Sequence, residues 1–597
     1  MGVHVKRPSY ALSVPVTVAG LAAVLALTGV GFVPVQAAAA APVDCPKPLP
    51  TIEAVDGMAA TGFTVEKGTV PEPFSVEVVG RIDEGIAPGV DLIMAKVSSP
   101  AITRAGGIWA GMSGSPVYAP DGRLIGAVAY GLTSNTFYAG ITPAESMFPL
   151  LTTAPAAKAA ASRAGASRVA VPAAAARRLV ARGVSPQAAQ GAFGRLDLPV
   201  SLSGAGDEFQ RKLTDKFLRA TPDVRVVTGG SRASTRPAST SAIRAGGNFV
   251  AALSYGATTA AAVGTTTFVC KGRAVAFGHP FLYAGQKTYS AHDASALFVQ
   301  TNRPGLPPFK VANVGGVVGT VDREARAGIS AELGAVPRTA LVTTTLGRVG
   351  GRAVTDTSRV PTEEFTSAVA ALQVWRATKA ALDGKAPGSA TVSMKVTGVR
   401  ASGKPFTFTL ADRYADVVNL ASELGYRIAP AITALQTQEL EVVRITSVDV
   451  KATVEPTVRE YRVTSVKAKK GTRYVPLNEA DVSPGGTVKV RVALASYRNR
   501  LGNRTVDLAL KVPRSLPGDG ASLVVEAGSR WTESEYDVPS FEALLKKMQT
   551  TGHGTTIRLG LFADDGTGQA SGRKLLASTK ASLPAPVRLY EPDPFGG

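Results

Sequence analysis

Residues 106–131 read GGIWAGMSGSPVYAPDGRLIGAVAYG, apolar stretches of strand length interrupted every few residues by glycine, serine or proline. A long helix does not run through such a stretch. Each glycine costs helix stability and each proline removes a backbone donor, whereas short strands joined by tight turns use both. The turn APDG places Pro120, Asp121 and Gly122 where a bend wants them, ahead of the apolar run Arg123–Gly131. Upstream, FSVEVVGRI alternates in the manner of a half-buried strand, and DLIMAKV reads as a buried one. Residues 42–150 are therefore expected to form a β-rich lobe.

The pattern changes along the chain. Residues 151–242 shift to alanine, arginine, serine and proline and are expected to be a linker with helices. Phe209, Leu213 and Phe217 there are spaced as one face of an amphipathic helix. Strand-like runs return in 243–350, giving a second β-rich lobe. Residues 351–435 are a helical and mixed segment. Its best helix is TEEFTSAVAALQVWRATKAALDG, with Thr362 as cap, Glu363 and Glu364 in the first turn and Gly384 at the end. In 436–597 strict alternation appears. Val488, Val490 and Val492 face one way and Lys489 and Arg491 the other, as in an immunoglobulin-like β-sandwich. A chain of 597 residues has room for several such domains.

The N-terminus sets the compartment. Basic HVKRPSY, an apolar run and then QAAAAAP have the order of a signal peptide over residues 1–41, cleaved within Ala37–Ala41; an uncleaved anchor is the other reading. No later stretch is long and apolar enough to cross a bilayer. An extracytoplasmic protein, secreted or at the cell surface, is expected. Its two cysteines, Cys45 and Cys270, would then either form one disulfide or remain two thiols. The net charge of +20 suits contact with anionic cell-wall polymers or simply a solvated basic face. Nucleic acid is not expected, because the basic residues are scattered and not interleaved with aromatics.

The chemistry centres on GMSGSP. Nucleophilic catalysis by serine needs an exposed hydroxyl on a turn, N–H groups aimed at the developing oxyanion, and a base. Gly111 and Gly114 leave room around Ser113, and the N–H groups of Gly111 and Ser113 could form an oxyanion hole. Small turns rich in glycine and serine are also common without chemistry, so the base decides. Of four histidines, His4 lies in the signal peptide and His553 in what reads as an exposed turn. His279, in AVAFGHPF at the end of an apolar strand, and His292, beside Asp293, remain; either can equally be structural.

At these residues the sequence resembles a family. The segment GGIWAGMSGSPVYAPDGRLIGAVAYG is similar to the nucleophile segment of the SpoIVB-type serine peptidases, and AFGHPF resembles the segment bearing their catalytic histidine. The resemblance covers roughly 50–150 and 243–345. It implies a trypsin-like peptidase domain of two β-barrel lobes, with Ser113 as nucleophile and His279 as general base. Two differences stand out. In the sporulation peptidase the histidine block precedes the serine block, whereas here it follows. Where the family has Asp-Pro ahead of Gly-Gly, this chain reads VSSPAITRAGG, with Ser99 at the aspartate's place. Asp91, at the start of the strand leading to that loop, is the expected substitute, and Asp293 is the other candidate.

The chain as a whole thus reads as mostly β, with a two-lobed peptidase domain, a helical linker and a C-terminal sandwich. The expected activity is that of an exported serine endopeptidase acting on protein or peptide substrates, without metal or organic cofactor. The alternative is a peptidase-like binding or scaffold protein without turnover. A polysaccharide hydrolase is disfavoured, since no paired carboxylates stand at suggestive spacing.

Overall fold

A computed structural model describes residues 45–152, 167–202, 224–228, 232–282, 287–301, 307–480, 482–516, 521–528, 538–550, 553–563 and 575–589. The expected signal peptide and the expected helix around Phe209–Phe217 lie outside them.

The first lobe is built from β1 (Ala59–Thr64), β2 (Glu72–Ala87), β3 (Val90–Ser98), β4 (Pro116–Tyr118), β5 (Leu124–Leu132) and β6 (Tyr138–Pro143). They pair in the order β4-β1-β2-β3-β6-β5, and β5 returns to pair with β4, so the six strands close into a barrel. Closure removes the free edges that an open sheet of this size would expose. Its interior is filled by Val76, Val78, Ile93, Ala95, Trp109, Val128 and Ile141 among others. Two strands from the expected linker, β7 (Arg168–Ala170) and β8 (Ala192–Arg195), extend this sheet through β5. The helix Ala173–Ala181 between them buries Ala175, Ala176 and Leu179.

After β9 (Leu198–Leu202) and β10 (Val224–Thr228), the second lobe consists of β11 (Asn248–Gly256), β12 (Ala260–Cys270), β13 (Arg273–Ala276), β14 (Tyr289–Gln300), β15 (Phe309–Ala325) and β16 (Gly328–Leu333). The order β12-β13-β16-β15-β14-β11 closes through pairing of β11 with β12, a second six-stranded barrel. Tyr118, Leu124, Met147 and Leu150 of the first lobe share one apolar cluster with Phe268, Cys270, Val275 and Ala327 of the second. The Phe148 and Phe268 rings stack there at 4.7 Å. A disulfide joins Cys45 to Cys270, 225 residues apart, and so fastens the start of the first lobe to the end of β12.

The second sheet continues from β11 into β18 (Val354–Val360), β17 (Ala340–Arg348), β21 (Val443–Glu455), β19 (Gly388–Arg400) and β20 (Pro405–Asp416). Helices Thr366–Ala381 and Leu420–Thr437 pack in the core beside it. Thr362 does not cap the first of these with its side chain; its hydroxyl donates to the Thr288 carbonyl instead. Strand β21, inside the region expected to open the sandwich, belongs to this large sheet because its register with β17 and β19 is continuous over most of its length.

The C-terminal part has one sheet of β22 (Tyr461–Lys470), β23 (Arg473–Pro476), β24 (Thr487–Ser496) and β25 (Arg504–Lys511) and another of β26 (Ala521–Ala527), β27 (Thr556–Ala563) and β28 (Leu575–Ser582), with β29 (Val587–Arg588) added to β22. Val488, Val490 and Val492 point into a core shared with Leu559 and Leu561 of the second sheet, and Lys489 and Arg491 are exposed. What this part shares with the expected immunoglobulin-like sandwich is the two-layered architecture.

Candidate active site at the seam of the two barrels

The turn carrying Ser113 is closed by Met112, whose carbonyl accepts both the N–H and the hydroxyl of Ser115, at 2.9 and 2.7 Å. Gly111 (φ 102°) and Gly114 (φ 95°) occupy conformations that side chains disfavour. The second barrel clamps this turn. Thr265 donates its N–H to the Ser113 carbonyl at 2.8 Å and its hydroxyl to the Gly111 carbonyl at 3.0 Å, and Thr267 donates to the Gly114 carbonyl at 2.9 Å. The N–H groups of Ala110, Met112, Gly114 and Ser115 all have carbonyl acceptors. Among the described residues none is found for the N–H of Gly111 or of Ser113, the two groups expected to face an oxyanion.

His279 lies just beyond β13, after Phe277 (φ 72°) and Gly278 (φ 68°) turn the chain out of the strand. Thr142 of the first barrel holds this bend by donating to the Gly278 carbonyl at 2.6 Å. The imidazole reaches across the seam: Nε2 is 2.9 Å from Ser113 Oγ, and Nδ1 is 2.7 Å from the Pro280 carbonyl oxygen. A carbonyl can only accept, so Nδ1 carries the proton and Nε2 is left to accept from the serine hydroxyl. That is the tautomer a general base requires. Both residues are buried, Ser113 at 0% and His279 at 1% exposure. Burial first, and then the charge of Arg195, pushes the His279 pKa down to about 3, while the Pro280 carbonyl raises it.

Asp91 is not part of this cluster. Its carboxylate accepts the Glu84 N–H at 2.8 Å and lies 3.2 Å from Arg81 Nε, at the β2–β3 turn. Strand β3 runs from Val90 to Ser98, and at about 3.3 Å per residue this carries Asp91 far from the loop at its other end. Ser99, at the family's aspartate position, caps the helix Pro100–Ala105 by accepting the Ile102 N–H at 3.1 Å. Asp293 sits against Gly315. His292 is buried between Ser290 Oγ at 2.9 Å and the Gly315 carbonyl at 3.2 Å, and Tyr255 packs on its ring. His553 is half-buried near Asp412 rather than exposed. Sequence reading missed Thr142, Thr265 and Thr267. The run TTTF on β12 was the available signal, because alternate positions of a strand share a face.

Lys310 lies under the same turn. It is fully buried, its N–H donates to the Ala110 carbonyl at 2.9 Å, and its Nζ donates to Asn248 Oδ1 at 3.0 Å. Among the described residues no cluster of three or more metal-ligating side chains is found.

Two closed six-stranded barrels with a serine and a histidine meeting at their seam are the arrangement of a trypsin-like, two-barrel serine peptidase domain. The family model described as SpoIVB peptidase S55 matches residues 36–147, so this segment, which includes the Ser113 turn, is similar to that family. The match ends before His279. No curated protein and no solved structure matches the chain. No helix among the described residues is long and apolar enough to cross a membrane, which leaves crossing by strands aside.

Proposed function

We propose that this protein is an exported serine endopeptidase. The observation that carries the reading is the 2.9 Å approach of His279 Nε2 to Ser113 Oγ across the seam. In the proposed reaction Ser113 attacks a peptide carbonyl and His279 takes the hydroxyl proton at Nε2. The N–H groups of Gly111 and Ser113 receive the oxyanion. His279 then returns the proton to the leaving amine, and water releases the acyl group. Export is supported by the N-terminal residue order and by the disulfide, which persists in oxidising compartments.

A second reading is favoured by two observations. Ser113 and His279 are closed to solvent, and a carbonyl, not a carboxylate, meets His279 Nδ1. A peptidase-like binding or scaffold protein would tolerate both. Hydrolysis of unfolded casein by the purified protein separates the two. Ser113→Ala and His279→Ala should each lower it on the order of 10³-fold or more. Activity that survives His279→Ala contradicts the assignment of the base.

A further inference from the structure

We propose that Glu324 takes the place of the absent triad acid, acting on His279 through the single peptide unit between Pro280 and Phe281. The inference rests on the peptidase reading of Ser113 and His279.

The carbonyl of that peptide unit accepts His279 Nδ1–H at 2.7 Å, and its N–H, on Phe281, donates to Glu324 Oε1 at 2.6 Å. The two hydrogen bonds lie at opposite ends of one conjugated amide. A peptide whose N–H is held by a carboxylate carries more electron density on its oxygen, and successive hydrogen bonds polarise one another. The negative charge of Glu324 thus reaches the imidazole one amide removed. The second carboxylate oxygen is held too: Tyr289 Oη donates to Glu324 Oε2 at 3.0 Å. Burial pushes the Tyr289 phenol up, so it remains a donor. Its ring also packs edge-on against Phe281 at 5.2 Å.

An anchor is needed at this point. Phe277 and Gly278 both have positive φ, so the His279 loop leaves β13 without regular ladder hydrogen bonds to orient it. Glu324 stands on β15, whose register with β16 is fixed on either side of it, and the neighbouring Arg323 donates to the Leu150 carbonyl of the first lobe at 3.0 Å. The carboxylate therefore sits on a rigid strand tied to both barrels. The Pro280 contact is also the one influence that raises the basicity of His279 against burial and Arg195.

During acylation the Ser113 proton moves to Nε2, and the Nδ1 proton stays on Nδ1. No proton passes to Glu324, which touches neither the substrate nor the reacting atoms, so it is a positioning residue and not a catalytic one.

The test uses the full-length mature protein with Glu324→Gln and Glu324→Ala. Glutamine keeps an acceptor for the Phe281 N–H and removes only the charge. The relay predicts that labelling by a fluorophosphonate, and kcat on casein, fall on the order of tenfold in Glu324→Gln, with KM within about twofold; loss of a directly bonded acid costs ~10⁴-fold. Gln rescuing Ala to the wild-type rate would mean a merely structural role and overturn the proposal. The His279 Nδ1 proton, followed by NMR, should move upfield from wild type to Glu324→Gln. A resonance that stays in place overturns the relay even if the wild type takes no probe, the outcome that would instead sink the peptidase reading. If Glu324→Gln does not fold, the wild-type Phe281 amide proton decides. Far downfield supports the charge-assisted bond, and an ordinary position overturns it.

Discussion

Gly114 lies so close to Thr265 that a Cβ on it would stand 2.0 Å from the Thr265 carbonyl oxygen and 2.5 Å from the Phe277 backbone nitrogen. The Ser113 turn of one barrel is thus pressed directly onto the backbone of the other, with no side chain between. The distance from Ser113 to His279 follows from this contact, since Thr265 leads along β12 toward β13 and the histidine bend.

Gly114→Ala is therefore expected to force the barrels apart at the site. The backbone conformation alone costs about 1–3 kcal/mol for a non-glycine residue, and the clash with backbone atoms adds to it. Denaturant unfolding should show the loss. Fluorophosphonate labelling of whatever remains folded should be abolished. A variant labelled at the wild-type rate would show that the turn is not held in this way.

Acid should unfold the protein early. Burial holds His279 at about 3 and His292 at about 4, both well below the ordinary histidine value of 6.5. Above pH 6.5 both rings are neutral in folded and unfolded chains, so they contribute no difference. Below it the unfolded chain takes up protons that the folded one does not, and stability falls progressively from about pH 6.5 toward 3. Melting temperatures measured over that range should drop, and His292→Gln should reduce the slope. A flat profile contradicts the burial of these rings.

Lys310 predicts a second pH dependence of the same sign at higher pH. Burial pushes its pKa down to about 7 from 10.5. Between those values the unfolded chain binds the extra proton, so stability rises as pH rises from 7 to about 10.5. Lys310→Met removes this rise, leaves Asn248 Oδ1 without its donor at a cost of about 1–3 kcal/mol, and disturbs the turn at Gly111. Melts of the two proteins at pH 7 and pH 10 check it.

The Cys45–Cys270 bond closes a loop that spans both barrels. Reducing it, or replacing both cysteines by alanine, should lower stability by about 2–5 kcal/mol. Thermal melts with and without reductant measure this, and an unchanged melting temperature would contradict a stapling role.

Ser113 and His279, whose side chains meet at 2.9 Å, stand out in the sequence because each has a local signal: a serine between glycines ahead of an apolar strand, and a histidine where an apolar strand ends. The two β lobes were legible for the same reason, from alternation and turn residues. What holds the site was not. Thr142 reaches Gly278 across 136 residues, Thr265 reaches Gly111 across 154, and both partnerships exist only because the barrels close. Asp91 was misplaced because nearness in sequence to a loop says nothing once an extended strand intervenes. Glu324 carries no motif, and its role depends on which peptide its register on β15 happens to face. Strand β21 alternates as the later strands do, and only its partners show which sheet it joins.

We propose that Ser113 is activated by His279. Intact-mass analysis after exposure of the folded protein to a fluorophosphonate tests it most directly. One adduct is expected, mapped to Ser113, absent in Ser113→Ala and formed far more slowly in His279→Ala. A folded wild-type protein that takes no adduct, or an adduct that persists in Ser113→Ala, would contradict it.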